Sequence, residues 1–300
     1  MRISTSMMQR LAVNAMLDRQ ADLSKTQQQL ATGRGILTPS DDPAGSTQVL
    51  RFQQEIGMTK QYQRNTERAI GRLELEESIL SGISDSLHRV RELAVQGLND
   101  TNNASNRLAL AEEVRHRLDE VFKLANTKDG NGEYLFSGFR GKTEPFVDAG
   151  GGVFNYVGDR GQRQVQISAT RQVETSDSGF DLFMDIPFSG GGSQDIFATI
   201  DSLATSLEAN APNGNSLTDI DSALENMFTA RAGIGSRLNT IDAQRNINEQ
   251  YLVQMEGELS NIQDLDYAEA IGRLNLQLSG LQASQASFER VQNLSLFNFL

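Results

Sequence analysis

The sequence contains no cysteine, only two histidines and only five prolines in 300 residues. The lack of cysteine excludes disulfides, thiolate catalysis and zinc–sulfur sites, and two histidines leave little material for a metal centre. No apolar run approaches the roughly 18 to 20 residues that cross a bilayer. The first twenty residues carry polar side chains every few positions, so they lack the apolar stretch of a secretory signal. If the chain is exported, we expect a route that reads no cleaved signal peptide.

The charge balance is acidic, with 39 acidic against 27 basic side chains and a net charge of −12. Nucleic-acid binding depends on lysine and arginine to neutralise phosphates, so DNA and RNA are not expected partners. The hydrophobic fraction of 38% suits a folded water-soluble chain rather than a disordered one. We expect neither a membrane partner nor a cofactor.

The prolines leave two long stretches free of helix breakers, one between Pro43 and Pro145 and one after Pro212. Half of the 26 glycines lie between Gly130 and Gly192, so the middle of the chain has a different character. The distribution predicts a mainly α fold, namely a long antiparallel coiled-coil helical bundle built from both ends of the chain. The middle should form a small α/β or β-rich insert.

The C-terminal arm has the clearest periodicity. Ser216–Asp219 resembles a capping box, and a 4-3 spacing typical of a coiled-coil seam follows it. The seam positions are Ile220, Leu224, Met227, Arg231, Ile234, Leu238, Ile241, Arg245, Asn248, Leu252, Met255, Leu259 and Ile262. Its polar members, two arginines and one asparagine, are candidates for fixing the register. After Asp264–Asp266 the pattern resumes and predicts a second helix.

The N-terminal arm mirrors this arrangement. Gly33, Gly35 and Pro39 should end a first helix, and Asp41-Asp42-Pro43 should start another with an acidic cap. The seam of this second helix is predicted at Ala69, Leu73, Glu76, Leu80, Ile83, Leu87, Val90 and Ala94. Residues 99–103 should form a turn into a third helix, whose apolar positions are Leu110, Val114, Leu118 and Val121.

The middle of the chain shows strand-like alternation around Val165, Ile167 and Ala169. We expect this strand to pair with residues 153–157 through a hairpin loop at Gly158–Gly161. Further strands are predicted at residues 134–139 and 180–184, and an amphipathic helix at 194–210 should be capped by Ser193.

Features that suggest chemistry have simpler structural explanations. His88 and Glu92 have the spacing of a helical ion pair, and the glycine triplets at 150–152 and 190–192 lack the lysine of a phosphate loop. No catalytic, cofactor-binding or metal residues are therefore predicted, and the chain is not expected to be an enzyme. An insert that hides a carboxylate or hydroxyl site remains a minor alternative.

Apolar ridges at the two ends are the candidate functional feature, because a single chain cannot cover them all. The predicted subunit-assembly interface comprises Leu11, Met16, Leu23, Leu30, Leu37, Ile271, Leu274, Leu278, Leu281, Phe288, Leu294, Leu296, Phe297, Phe299 and Leu300. Residues 1–40 and 263–300 are expected to be an inner assembly layer that is disordered in the monomer. Residues 41–130 and 216–262 should form a helical rod, and residues 131–215 an outward-facing insert.

Several strings resemble one protein family. Leu30–Arg34, Ser40–Gly45 and Val90–Gln96 resemble the N-terminal region of flagellins and flagellar hook-associated proteins, and Asp264–Glu269 resembles their C-terminal region. The likeness covers about residues 1–145 and 216–300. Three further stretches resemble the hook–filament junction members of the family: Tyr134–Gly138, Tyr156–Gln166 and Leu294–Leu300.

The resemblance implies an extracellular structural subunit of the bacterial flagellum. It further implies a ring of identical subunits that links hook-associated protein 1 to the flagellin filament. Export through the flagellar type III channel, with a dedicated cytoplasmic chaperone, would follow from the same likeness. A short flagellin, which is a filament subunit, is the alternative within the family.

Overall fold

The computed structural model describes residues 5–293. The helices are α1 (Thr5–Thr32), α2 (Pro43–Gly97), α3 (Ala104–Ala125), α4 (Ile196–Glu208), α5 (Asn215–Gln263) and α6 (Tyr267–Asn293). The strands are β1 (Phe146–Gly150), β2 (Val153–Tyr156), β3 (Gln164–Gln166), β4 (Gln172–Glu174), β5 (Ile186–Pro187) and β6 (Ser193–Gln194). The mainly α fold with a small strand-containing insert is confirmed. Within residues 5–293, no helix combines the length and apolarity needed to span a bilayer.

Two compact units make up the chain. One joins the residues up to Met58 with those from Tyr251 onward, and the other is Thr59–Gln250. The division therefore falls within α2 and α5, whereas the sequence-based boundaries were placed at residues 40, 130, 215 and 262. We call these the terminal unit and the central unit.

The central unit has its core along the predicted seam of α2. All eight predicted positions, from Ala69 to Ala94, are buried. In α3 the side chains of Leu110, Val114 and Val121 are buried, and Leu118 packs against the same core from a half-buried position. Asn103 caps α3 by accepting a hydrogen bond from the backbone N–H of Asn106. The 4-3 spacing therefore identified the buried face correctly.

Helices α2 and α5 run antiparallel in the central unit, as two ion pairs show. Arg91 donates to Asp221 at 2.6 Å, and Arg231 donates to Glu77 at 2.7 Å. Arg231 is one of the predicted polar seam residues. A second one, Asn248, is buried and donates from Nδ2 to the carbonyl of Ile167 at 3.0 Å. Asn248 fixes the register of α5, because a shift would leave this buried amide unpaired, and the two partly exposed ion pairs support the same register.

The predicted strand pairing of the insert was wrong. β2 pairs with β1, with Phe146 opposite Tyr156, and β3 pairs with β4, with Val165 opposite Val173. Residues 180–184 form a π-helical turn rather than a strand, and residues 134–139 contribute only an isolated bridge between Tyr134 and Lys128. Both segments bury two consecutive apolar side chains, and such short runs do not distinguish a strand from a helical turn.

The insert shares its core with the helices. Phe183 makes edge-to-face contacts with Phe136 and Phe146, at centroid distances of 5.1 and 5.2 Å. Phe197 on α4 continues the cluster to Phe122 on α3 at 5.4 Å. Such aromatic pairs each contribute about 0.5–1.5 kcal/mol beyond their buried area. The cap of α4 is Asp195, which accepts from Ala198 N, and not Ser193 as predicted.

The central motif Tyr156–Gln166 forms hydrogen bonds with the segment around Tyr134–Gly138. The Tyr156 hydroxyl lies 2.9 Å from the carbonyl oxygen of Phe136, and burial raises the pKa of this hydroxyl to about 12. Asp159 accepts hydrogen bonds from the backbone N–H groups of Phe139 and Gly161, at 3.0 and 2.8 Å. The residues that favoured the junction members of the family therefore have a structural role in this insert.

Glu76, the polar member of the α2 seam, is buried beside a loop of the insert. Its Oε1 accepts from the backbone N–H of Asp177 at 3.1 Å, and its Oε2 has no hydrogen-bond partner. The Asp177 carboxylate is itself bound by Arg237. Burial, and next the nearby Asp177 charge, raise the pKa of Glu76 to about 8, so this carboxyl is largely protonated at neutral pH.

Replacing Glu76 by glutamine should flatten the dependence of stability on pH. Between pH 4.5, the ordinary pKa, and about 8, the folded state keeps a proton that the unfolded chain releases. Stability is therefore full below this window and falls as pH rises through it. In Glu76→Gln the thermal midpoint should fall less between pH 5 and pH 8 than in the wild type.

The matched control is Glu74→Gln, an exposed position on the same helix. Its profile should follow the wild type, as measured by circular dichroism melts of the full chain. Identical slopes for Glu76→Gln and the wild type would contradict the assignment of a protonated Glu76.

Candidate assembly surface

Helices α1 and α6 lie antiparallel to each other in the terminal unit. Three neighbouring pairs show this: Gly33 with Tyr267, Gln29 with Arg273, and Arg19 with Gly280. The described part of α6 thus ends beside the start of α1. The predicted coiled-coil pairing of the two chain ends exists within one molecule over this range.

Two connecting segments pair where the helices meet: the one after α1 (residues 33–35) and the one between α5 and α6 (residues 263–265). We call this paired region the turn. Leu265 N donates to the Gly33 carbonyl at 3.0 Å, and Gly35 N donates to the Gln263 carbonyl at 2.8 Å. Gly33 has a φ of +69°, and a Cβ there would lie 2.8 Å from the Tyr267 hydroxyl, so only glycine fits without strain. The glycines that were predicted to end the first helix therefore also form backbone hydrogen bonds with the segment between α5 and α6.

Acidic residues cap the helices that leave the turn. Asp42 Oδ1 accepts from Gly45 N at the start of α2, and Asp266 Oδ1 accepts from Ala268 N at the start of α6. Asp41 instead pairs with Lys25 at 2.6 Å and accepts from the backbone N–H groups of Leu37 and Thr38. The hydrogen bond from Lys25, followed by that from Thr38 N, lowers the pKa of Asp41 to about 2. The predicted acidic cap is present.

The structure divides the predicted interface residues into three groups. Those that are covered within the chain are Leu23, which is buried, and Met16, Leu30, Leu274, Leu281 and Phe288, which are half-buried. Those that are exposed are Leu11, Ile271 and Leu278, while Leu37 is half-buried after α1. Leu294, Leu296, Phe297, Phe299 and Leu300 lie outside the described residues. Only the exposed group therefore remains available for contacts with neighbouring copies, and such contacts stay a prediction.

Further aliphatic side chains in the described part of these two helices are exposed and were missed by the seven-residue spacing. They are Met7, Val13, Leu17 and Leu276, the last two with 57% and 77% of their surface exposed. At 100° per residue they lie off the inward-facing seam. A helix with apolar residues on several sides buries them only when other segments pack against each of those sides. Counting apolar residues around the whole helix, rather than along one heptad line, would have found them.

The residues that could have suggested chemistry have other surroundings in the described part of the chain. Among residues 5–293 there is no cluster of three His, Asp or Glu side chains that could hold a metal ion. His88 rests against the ring of Phe228 with centroids 5.9 Å apart. The two glycine triplets occupy turns, one between β1 and β2 and the other between β5 and β6.

Both helical arms match the sequence profiles of known protein families. The profile of the bacterial flagellin N-terminal helical region matches residues 3–140, and that of the flagellin C-terminal helical region matches residues 217–300. The two matches fall on the two helical arms, in the expected order. The chain belongs to the flagellin-like family of bacterial flagellar proteins. It is a structural flagellar protein by this membership.

Within the family, the relatives differ in how much of the chain they match. The flagellar hook-associated protein 3 of Escherichia coli K12 is 29% identical over 99% of this chain and 99% of its own length. The phase 1 flagellin of Salmonella naestved is 33% identical, but over 45% of this chain and 27% of its own length. The first likeness therefore includes the insert, and the second covers less than half of this flagellin-like chain.

A solved structure has the same fold. The hook-associated protein 3 of Legionella pneumophila superimposes with a TM-score of 0.67 and covers 71% of this chain and 98% of its own. At 23% identity this similarity establishes the fold alone. The matched 71% of this chain therefore has the fold of that protein.

A pair of substitutions on α1 separates the inward face from the outward face. Leu23→Asp should open the α1/α6 pair, because it forfeits about 1.5–3 kcal/mol of apolar burial and buries a charge. Leu17→Asp, on an exposed side of α1, should leave the pair intact. Limited proteolysis of dilute full-length protein should cut α1 and α6 faster in Leu23→Asp than in the wild type. Equal cutting of both variants would contradict the packing described.

Proposed function

We propose that this chain is the hook–filament junction subunit of a bacterial flagellum. The observation that carries the proposal is the similarity to hook-associated protein 3 along the whole chain, insert included. The exposed apolar side chains of α1 and α6 support it physically, because patches of this kind mark interfaces. In this proposal identical subunits form a ring that joins hook-associated protein 1 to the flagellin filament.

The terminal unit supplies the inner layer of that ring. Each helix of the α1/α6 pair buries one face against the other and leaves apolar residues on other sides, so neighbouring copies cover them. An exposed leucine that becomes fully buried contributes about 1.5–3 kcal/mol, and each subunit carries several. The central unit forms the rod and presents residues 131–215 to the outside.

Export and handling follow from the same proposal. The chain leaves the cytoplasm through the flagellar type III channel without a cleaved signal peptide, and a cytoplasmic export chaperone covers its assembly helices beforehand. The lack of cysteine supports passage as an unfolded chain, since no disulfide has to be broken or formed.

Deletion of the gene should leave cells with hooks but no filaments and with flagellin in the medium. A filament subunit would give a different result, namely hooks that still carry their full set of hook-associated proteins. Electron microscopy of the deletion strain and immunoblots of the culture medium distinguish the two. Filaments of normal number in the deletion strain would rule out the junction role.

Leu276→Asp should abolish filament attachment while the monomer stays folded, since this side chain is exposed on α6. Leu278→Asp should act in the same way. Phe288→Asp is expected to impair the monomer as well, because Phe288 is half-buried in the described chain. Motility in soft agar and melting of the purified protein give the two readouts. Unchanged motility in Leu276→Asp would contradict an assembly role for this side of α6.

An enzymatic insert is the alternative of a different class, and the fold changes how it should be tested. Because Phe154 and Phe197 of the insert pack against Phe122 of α3, an isolated 131–215 fragment would expose part of its aromatic core. Hydrolase assays should therefore use the full chain, and we expect no turnover above buffer. Activity that disappears on substitution of an insert carboxylate would establish the alternative.

A further inference from the structure

A small groove lies beside the turn in the terminal unit. Its apolar lining comes from Ile36 and Leu37 before α2, and from Val49 and Leu50 on the first turns of α2. Arg34 and Gln263 also line it, and its volume is about 200 Å³. We call it the turn groove. Val49 is buried, whereas Leu50 has 65% of its surface exposed, so the groove presents apolar surface to solvent.

The size and lining of the turn groove fit side chains of a protein segment. Pockets for small molecules are typically about 300–1,000 Å³, which is larger. An extended peptide instead inserts one or two apolar side chains and bonds its main chain to nearby polar groups. Arg34, Gln53 and Gln263 are among the lining residues, and guanidinium and amide groups are suited to that second task.

One segment of this chain has the matching chemistry. The seven residues Leu294–Leu300 include five large apolar side chains and no charged one. They follow the last described residue of α6. We call them the tail segment.

The tail segment cannot reach the turn groove of its own molecule. The groove lies at the turn, where α6 begins, and α6 then runs 27 residues away from it. At 1.5 Å per residue this is about 40 Å. Seven extended residues span at most about 25 Å. A tail segment in the groove must therefore come from another copy.

We propose that the turn groove of each subunit binds the tail segment Leu294–Leu300 of a second copy. This inference rests on the proposed junction function and adds a specific contact to it. The contact is heterologous, because groove and tail are different surfaces at opposite ends of the α1/α6 pair. It links copies head to tail, so each copy both donates a tail and accepts one.

The absence of cysteine makes a direct test simple. Ser46 lines the groove and Ser295 lies in the tail segment, and serine to cysteine is nearly isosteric. Chains with Ser46→Cys and chains with Ser295→Cys are expressed together, beside the wild-type chain, in the deletion strain. A disulfide requires Cα atoms within about 7 Å. Mild oxidation of isolated flagella with diamide should give a dimer that contains both variants.

The matched control replaces Ser46→Cys by Ser24→Cys, an exposed position on α1 about ten residues from the turn. That mixture should give at least tenfold less dimer. A double variant, Ser46→Cys with Ser295→Cys in one chain, tests the reach argument in dilute monomer. A disulfide within one molecule there would overturn the proposal.

Two further outcomes separate the docking from the function. If the wild-type chain restores filaments but the Ser46→Cys and Ser295→Cys mixture gives no dimer above the control, the docking is wrong and the junction role stands. If the wild-type chain fails to restore filaments in the deletion strain, the junction role itself is wrong. A dimer formed equally with Ser24→Cys would show non-specific contact and would also overturn the docking.

Discussion

A pair of helices can cover only one face of each member, and this constraint shapes the whole terminal unit. α1 and α6 bury Leu23 and Ala270 between them and leave Leu11, Leu17 and Leu276 on other sides. The central unit meets the same constraint differently. There α2, α3, α4 and α5 and the insert share one core, so most large apolar residues of the seams are covered. The contrast between the two units is the physical basis for assigning assembly to the ends.

Polar residues placed within apolar seams give the central unit its register. Arg231, Asn248 and Glu76 each occupy a seam position and each has a defined partner in another segment. A slip of one helix past its neighbour would strand a buried polar group at a cost of about 1–3 kcal/mol. Such contacts limit the sliding of one helix along another, which apolar contacts alone tolerate.

Periodicity predicted the helices well because burial in a long helix repeats every three or four residues. The seam of α2, the turn into α3, and the buried face of α5 all followed from it. The insert resisted prediction for a physical reason: its strands have two to five residues, which is too short for a period-two pattern to show, although each strand pairs with a neighbour in the chain. On α6 the heptad spacing identified the exposed Leu278 but missed the exposed Leu276. Only the packing of α1 against α6 shows which side chains remain exposed to solvent.

The pairing of α1 with α6 at Gly33 also determines when in folding the two helices can meet. Helix α1 is near the beginning of the chain and α6 near its end, with more than two hundred residues between them. During synthesis, or during any passage that presents one end first, α1 has to wait for its partner until almost the whole chain has emerged. Closing so large a loop is slow and entropically unfavourable unless the central unit has folded and shortened the path. The paired surface of α1 and α6 can therefore form only after nearly all of the chain has emerged.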